Sequence, residues 1–342
     1  MLIPPDFTNP PVWLSQTIKR DEMPPYDWGN LLVGVPAVHK FTKGAGIKIG
    51  IADTGIDMNH PSFFDHPSFA GAIANAQDFT GSPVGVLDRQ GHGTHVAGTI
   101  GARGDVYKGV APESRLYIAK VLGDNGNGGS QGIAAGIRWL VQQGVDVINM
   151  SLGSPVADQS IQAAISEAVR AGVVIICAAG NDGRRNSVNW PAKSENVIAI
   201  SAVGHDGTIA DYSSFGPEVD FAAPGSEITS CAIGGGFATL SGTSMASPLV
   251  TGLVALGMAY EKTFVKPRTI MQVVSRLKEY TIDAGAPGRD PIYGEGVISC
   301  KRLESLPLLP PPPTAPISSG AVEQIVRDGV PGLWIPGAVL GR

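Results

Sequence analysis

IKIGIADTGID, Ile47–Asp57, joins an apolar run to an aspartate and then to a glycine-containing turn. Runs of the same kind recur as RLYIAKV from Arg115, VDVINM from Val145, VVIICAA from Val173 and VIAISAV from Val197. All are apolar on both faces, as strands of a parallel sheet covered by helices must be. Stretches of helical period lie between them. In SQGIAAGIRWLVQQG, Ile133, Ile137, Leu140 and Val141 fall on one stripe, and in DQSIQAAISEAVRAG, Ile161, Ile165 and Val169 do. This alternation predicts an α/β fold with a mostly parallel central sheet and helices on both faces.

Sites in such sheets form in the loops beyond the carboxyl ends of the strands. The 45 glycines concentrate there: DTG after the first strand, VLGDNGNGG after the next, SLGSP after the third and AAGNDG after the fourth. Three of these glycine-flanked junctions carry groups with chemistry. Asp53 ends the first strand, where a partly buried carboxylate needs a partner. His92 stands in GHGTHVAG, and Ser244 in GTSMASP at the start of an apolar helical run whose first-turn N–H groups face outward. Singly, each reads equally well as a turn or cap residue. Together they form the set in which a serine hydroxyl loses its proton to a histidine whose tautomer an aspartate holds. Asp, His, Ser is one of the three chain orders in which that set occurs.

Bulk properties narrow the rest. At 342 residues the chain suits one main domain with a small appendage. Charged residues make up 16%, aromatics 6%, and the net charge is −5, which argues against a nucleic-acid surface or a polybasic membrane patch. No apolar run approaches about 20 residues. MLIPPDFTNPPVW has neither the basic start nor the apolar centre of a signal peptide, so the expected location is the cytoplasm. Cys177, Cys231 and Cys300 are odd in number and lack C-x-x-C spacing, so they read as free apolar residues.

DTGID with NHP after it, GHGTHVAGTI, SLGSP, CAAGNDG, SSFGPEVDFAAPG and GTSMASP resemble, in order, the motifs of the subtilisin family of serine proteases. The resemblance runs from about Trp28 to about Cys300 and implies a three-layer α/β fold and endopeptidase activity. It implies Asp53 as the orienting carboxylate, His92 as general base and then acid, Ser244 as nucleophile and Asn181 as a donor to the oxyanion. His95 is then a supporting core residue, not half of an H-x-x-H zinc site with Asp65 or His66. A transamidating relative, a silent binding module and a metal hydrolase are the alternatives that the motifs leave open.

The same resemblance places substrate between two strands, Ser151, Leu152 and Gly153 on one side and Leu122 to Gly126, including Gly123, on the other. Asn189 stands where the family often has a glycine at the pocket floor. With Asp182, Arg184 and Arg185 close by, this predicts a pocket more polar than the usual large apolar one. No cofactor is needed for chemistry; a structural calcium is expected at Asp220 with carbonyls near Ala192, whereas Ser62 and the short IGARGDVYKGVAP loop argue against the family's tighter calcium site. Leu2–Pro5, LIPP, resembles the start of intracellular subtilisins, whose extension lies across the active site until clipped. The expected organisation is an inhibitory N-terminal extension (1–25), a catalytic domain (26–305), and a Pro-rich linker and tail (306–342). In that tail LPLLPPPPTAP reads as a polyproline II spacer and the last stretch, with Trp334, as a short helix and apolar end.

Overall fold

The computed structural model describes residues 6–8, 13–19, 23–63, 71–261 and 269–301, all within one compact unit. The expectations placed on Leu2–Pro5, on Asp65 and His66, and on the Pro-rich linker and tail with Trp334 lie outside the described residues.

The chain enters through two short strands, β1 (Asp6–Thr8) and β2 (Trp13–Ile18), and two short helices, α1 (Trp28–Leu32) and α2 (Val35–Val38). The Ile47 run forms β3 (Lys48–Asp53), followed by β4 (Ile73–Asp78) and α3 (His92–Gly101). β5 (Arg115–Lys120) and β6 (Asn127–Gly129) lead into α4 (Ser130–Gln142), β7 (Val147–Met150), α5 (Gln159–Arg170), β8 (Val174–Ala178) and β9 (Ile198–Val203). β10 (Phe221–Pro224), β11 (Ile228–Cys231) and β12 (Phe237–Ser241) precede the long α6 (Thr243–Glu261). Helix α7 (Ile270–Lys278) and strands β13 (Thr281–Ile282) and β14 (Val297–Ile298) follow.

Nine strands form the central sheet in the order β4-β5-β3-β7-β8-β9-β10-β14-β13. Its pairings from β4 to β14 are parallel, and only β13 runs antiparallel to its neighbour. Every residue of β7, β8 and β9 is buried, which is why those runs read as continuously apolar. Successive residues point to opposite layers. Ile49, Val147 and Ile176 face α3 and α6 with Val96, Ile100, Leu249 and Leu253, whereas Ile148 and Ile175 face α4 and α5 with Ile133, Ile137, Leu140, Ile161 and Ile165. The predicted three-layer α/β architecture is therefore observed.

Among the described residues one helical window, Thr243–Tyr260, is long and apolar enough to cross a membrane by length and composition. It is also 83% buried within the fold, so its apolar character serves the core beneath the sheet. The first two strands stand apart from that sheet. β1 pairs antiparallel with β6, and β2 extends the β11–β12 hairpin into a three-stranded sheet with the order β11-β12-β2.

Candidate active site

Three element ends converge. Asp53 is the last residue of β3, His92 the first of α3 and Ser244 the second of α6, and all three are buried. Asp53 Oδ1 accepts from the backbone N–H of Thr54 at 2.7 Å and lies 2.7 Å from His92 Nδ1. Thr54 ties the two elements together: its Oγ1 donates to Asp88 at 3.0 Å and accepts from Gly93 N at 2.8 Å. The Asp88 carboxylate also accepts from the N–H groups of Gly91 at 2.8 Å and Thr94 at 2.9 Å, capping the exposed donors of the α3 start. Such closeness requires the glycines of GHG. Gly91 has φ 96°, and a Cβ on Gly93 would stand 2.3 Å from the carbonyl oxygen of Gly55.

Asp53 Oδ2, His92 Nε2 and Ser244 Oγ are buried and have no hydrogen-bond partner among the described residues. Buried polar atoms are nearly always paired, so three orphans at one convergence need a reason. With Nδ1 turned to Asp53, the outward nitrogen of His92 is Nε2, the one a serine hydroxyl must reach. His95, one turn further along α3, also has a buried nitrogen without a partner among the described residues, Nδ1, but its other nitrogen is engaged. Its Nε2 lies 3.1 Å from the carbonyls of both Ile228 and Ala238, and burial pushes its pKa down to about 3, so the ring stays neutral and ties α3 to the β11–β12 hairpin.

Asn181 lies in the loop after β8. Its Oδ1 accepts from Thr243 N and from Thr243 Oγ1, both at 2.9 Å, and Thr243 Oγ1 in turn accepts from Gly180 N at 3.1 Å. This turns the amide's NH2 end away from Thr243, at the amino end of α6.

The two stretches expected to flank substrate lie on either side of β1. Gly123 N donates to Asn127 O at 2.7 Å and Gly126 N to Gly123 O at 2.8 Å, so Leu122 to Gly126 is a buried residue followed by a tight turn, and the strand that follows is β6 at Asn127–Gly129. On the other side Gly153 is an edge, but Leu152 is buried in the core and the Ser151 side chain is turned to α6. Strand β1 lies against both edges. Asp6, Phe7 and Thr8 stand opposite Gly129, Gly128 and Asn127, while Thr8 exchanges two bonds with Gly153, N–H to O at 3.1 Å and O to N–H at 2.9 Å. Asn189 is brought to the same place, since a Cβ on Gly153 would lie 3.0 Å from its Cβ, and its amide reaches Asp182 Oδ2 at 3.5 Å. Beyond β6 opens a polar cavity of about 430 Å³, lined in part by Thr80, Ser82, Asp124 and Asn127.

Residues 44–296 match the Subtilase family, Peptidase_S8. The chain belongs to the subtilase family. It is 35% identical over 297 residues to the thermostable alkaline protease of Halalkalibacterium halodurans, covering 86% of this chain and 75% of that protein. It is 36% identical over 290 residues to the intracellular serine protease of Paenibacillus polymyxa, covering 80% and 85%, and 37% identical over 262 residues to subtilisin DY of Bacillus licheniformis, covering 75% and 90%. This subtilase is a serine endopeptidase, a hydrolase, as the motif resemblance implied.

The calcium expectation does not fit the residues present. Asp220 Oδ2 accepts from Ala199 N at 2.9 Å, and Oδ1 takes both terminal nitrogens of Arg289 at 3.3 and 3.2 Å. Arg289 donates as well to Val219 O at 3.0 Å, so a guanidinium already sits where a cation would be drawn, and it would repel one. The Asp220 carboxylate, expected to join carbonyls near Ala192 around a cation, is thus already engaged by an arginine. Sequence reasoning also passed over Thr54, Asp88 and Thr243. Two of them are direct chain neighbours of Asp53 and Ser244, and that adjacency is the signal that would have found them.

Proposed function

We propose that this subtilase cleaves peptide bonds through an acyl-enzyme formed on Ser244. His92 Nε2 takes the proton of Ser244 Oγ as that oxygen attacks the scissile carbonyl, and Asp53 holds the imidazole and stabilises its charged form. Asn181 Nδ2 and the backbone N–H of Ser244, at the positive end of α6, receive the oxyanion. His92 then returns the proton to the leaving amine, and water resolves the ester. The observation that carries this reading is the 2.7 Å contact of Asp53 with His92 beside two buried, unpartnered reacting atoms. Intact mass after a fluorophosphonate tests it, with one adduct expected on the chain and none on Ser244→Ala. For Asn181→Ala the expected fall in kcat is about two to three powers of ten, the size measured for this donor in subtilisin itself, a relative; an unchanged kcat would remove it from the oxyanion site.

Substrate is read as an added strand between β6 and Gly153. Asn189 and Asp182 make the adjoining pocket polar, in keeping with acceptance of acidic or polar side chains. The N-terminal extension, residues 1–25, is read as an inhibitor that makes the chain a zymogen. In support, β1 already occupies the strand position, and β2 runs along β12, whose last residue Ser241 stands opposite Trp13. The linking residues are Asn9, Pro10, Pro11 and Val12. Prolines supply no N–H and restrain φ, so a paired Pro-Pro is a poor substrate. Deleting residues 1–12, which leaves β2 in place, should raise the initial rate on a short peptide by about tenfold or more, since it removes a tethered competitor. Unchanged kinetics would discard the inhibitor role, and on the same shortened chain a strong preference for large aromatics in a peptide library would discard the polar pocket. We place the protein in the cytoplasm on its likeness to the intracellular serine protease of Paenibacillus polymyxa, a location that cell fractionation reads directly.

A further inference from the structure

Pro248 lies inside α6 and has no N–H, so it cannot give the carbonyl of Ser244 the bond that residue i+4 supplies in an unbroken helix. Ser151 Oγ, from the residue after β7, donates to that carbonyl at 3.1 Å. A serine hydroxyl has one hydrogen, and its direction depends on what fills its lone pairs. Here Asn149 Nδ2 and Ser247 Oγ both stand 2.9 Å from Ser151 Oγ. The Asn149 amide oxygen faces Thr251 Oγ1 at 2.9 Å, one helical turn beyond Ser247, and that hydroxyl shares its one hydrogen between Asn149 Oδ1 and the Ser247 carbonyl at 3.0 Å. Asn149, Ser151, Ser244, Ser247 and Thr251 are all fully buried, so this polar chain has no solvent to replace a lost member.

We propose that Thr251, Asn149 and Ser151 are positioning residues for the nucleophile, a one-way chain of hydrogen bonds that replaces the helix bond Pro248 removes. The chain fixes ψ of Ser244 and thereby the direction in which its Cβ carries Oγ toward His92. This inference rests on the reading of Ser244 as the nucleophile.

The test is a double-mutant cycle on the full chain, with kcat and KM measured on a peptide anilide, the N-terminus of each variant verified by intact mass and its folding by a melting curve. Ser151→Ala should lower kcat by about tenfold, the size expected when a buried acceptor is orphaned. In a Pro248→Ala background the new N–H reaches the Ser244 carbonyl, and adding Ser151→Ala should then cost less than about twofold. Thr251→Val should lower kcat by about threefold or more with KM held, and Thr251→Ser should restore it. Equal costs of Ser151→Ala with and without Pro248, or a fully active Thr251→Val, would overturn the proposal. If Ser151→Ala does not fold, the Thr251→Val and Thr251→Ser pair in both backgrounds separates the same two outcomes. A fluorophosphonate adduct that survives Ser244→Ala marks instead the failure of the nucleophile assignment, which the cycle does not confuse with its own.

Discussion

Ser244→Ala is expected to lower kcat by about six powers of ten, the size measured for the nucleophile in subtilisin itself, and to abolish the fluorophosphonate adduct. The structure explains why so little should remain. Ser244 Oγ is the hydroxyl at this convergence that is buried without a partner, and removing it leaves His92 Nε2 with nothing to deprotonate. Because the two groups act as a unit, His92→Ala should cost about as much, and the double variant little more than either. The measurement is single-turnover acylation together with intact mass. A Ser244→Ala chain that still turned over substrate within about a hundredfold of the parent, well above the residual left by binding and oxyanion stabilisation, would move the nucleophile elsewhere.

Asp53→Asn should lower kcat by about four powers of ten, the size measured for loss of the triad aspartate in subtilisin. The local bonding allows the reason to be isolated. Asp53 Oδ1 already accepts from Thr54 N at 2.7 Å, which holds the oxygen end of an asparagine toward His92 and keeps the bond to Nδ1. What is lost is the negative charge that stabilises an imidazolium in a buried site. The near-isosteric amide should therefore bind substrate as before, with KM nearly unchanged while kcat collapses. A loss under about tenfold in kcat would reduce Asp53 to a turn residue, and a matched rise in KM would assign it to binding.

The parts of the fold that were legible in the sequence are those where burial is complete. The five predicted strands are β3, β5, β7, β8 and β9, which are contiguous in the middle of the sheet and covered on both faces. β4, with IANAQD half exposed at the sheet edge, has no such run, and β1 and β2 are strands only because of what they pair with. The glycine-rich VLGDNGNGG offers no alternation to set a register, which is why the strand at Asn127–Gly129 was not legible in it. Asp53, His92 and Ser244 were legible as candidates because each stands at a glycine-flanked strand or helix end. The calcium expectation gains no support for the opposite reason: Arg289, which is bonded to Asp220, lies 69 residues from it and carries no motif.

The placement of β1 between β6 and Gly153, and of β2 on β12, also bears on how the enzyme would respond to dilution. Only four residues join the two strands, so β1 meets its docking edge at a local concentration on the order of millimolar, whatever the number of molecules in the tube. Thinning out the intact chain cannot release it. Once the backbone is cut between Thr8 and Trp13, the same strand becomes an ordinary peptide that diffuses away and returns only by collision. If β1 inhibits as proposed, the onset of full activity should then follow the count of severed chains, and a sample diluted a thousandfold before cutting should stay as inhibited as a concentrated one.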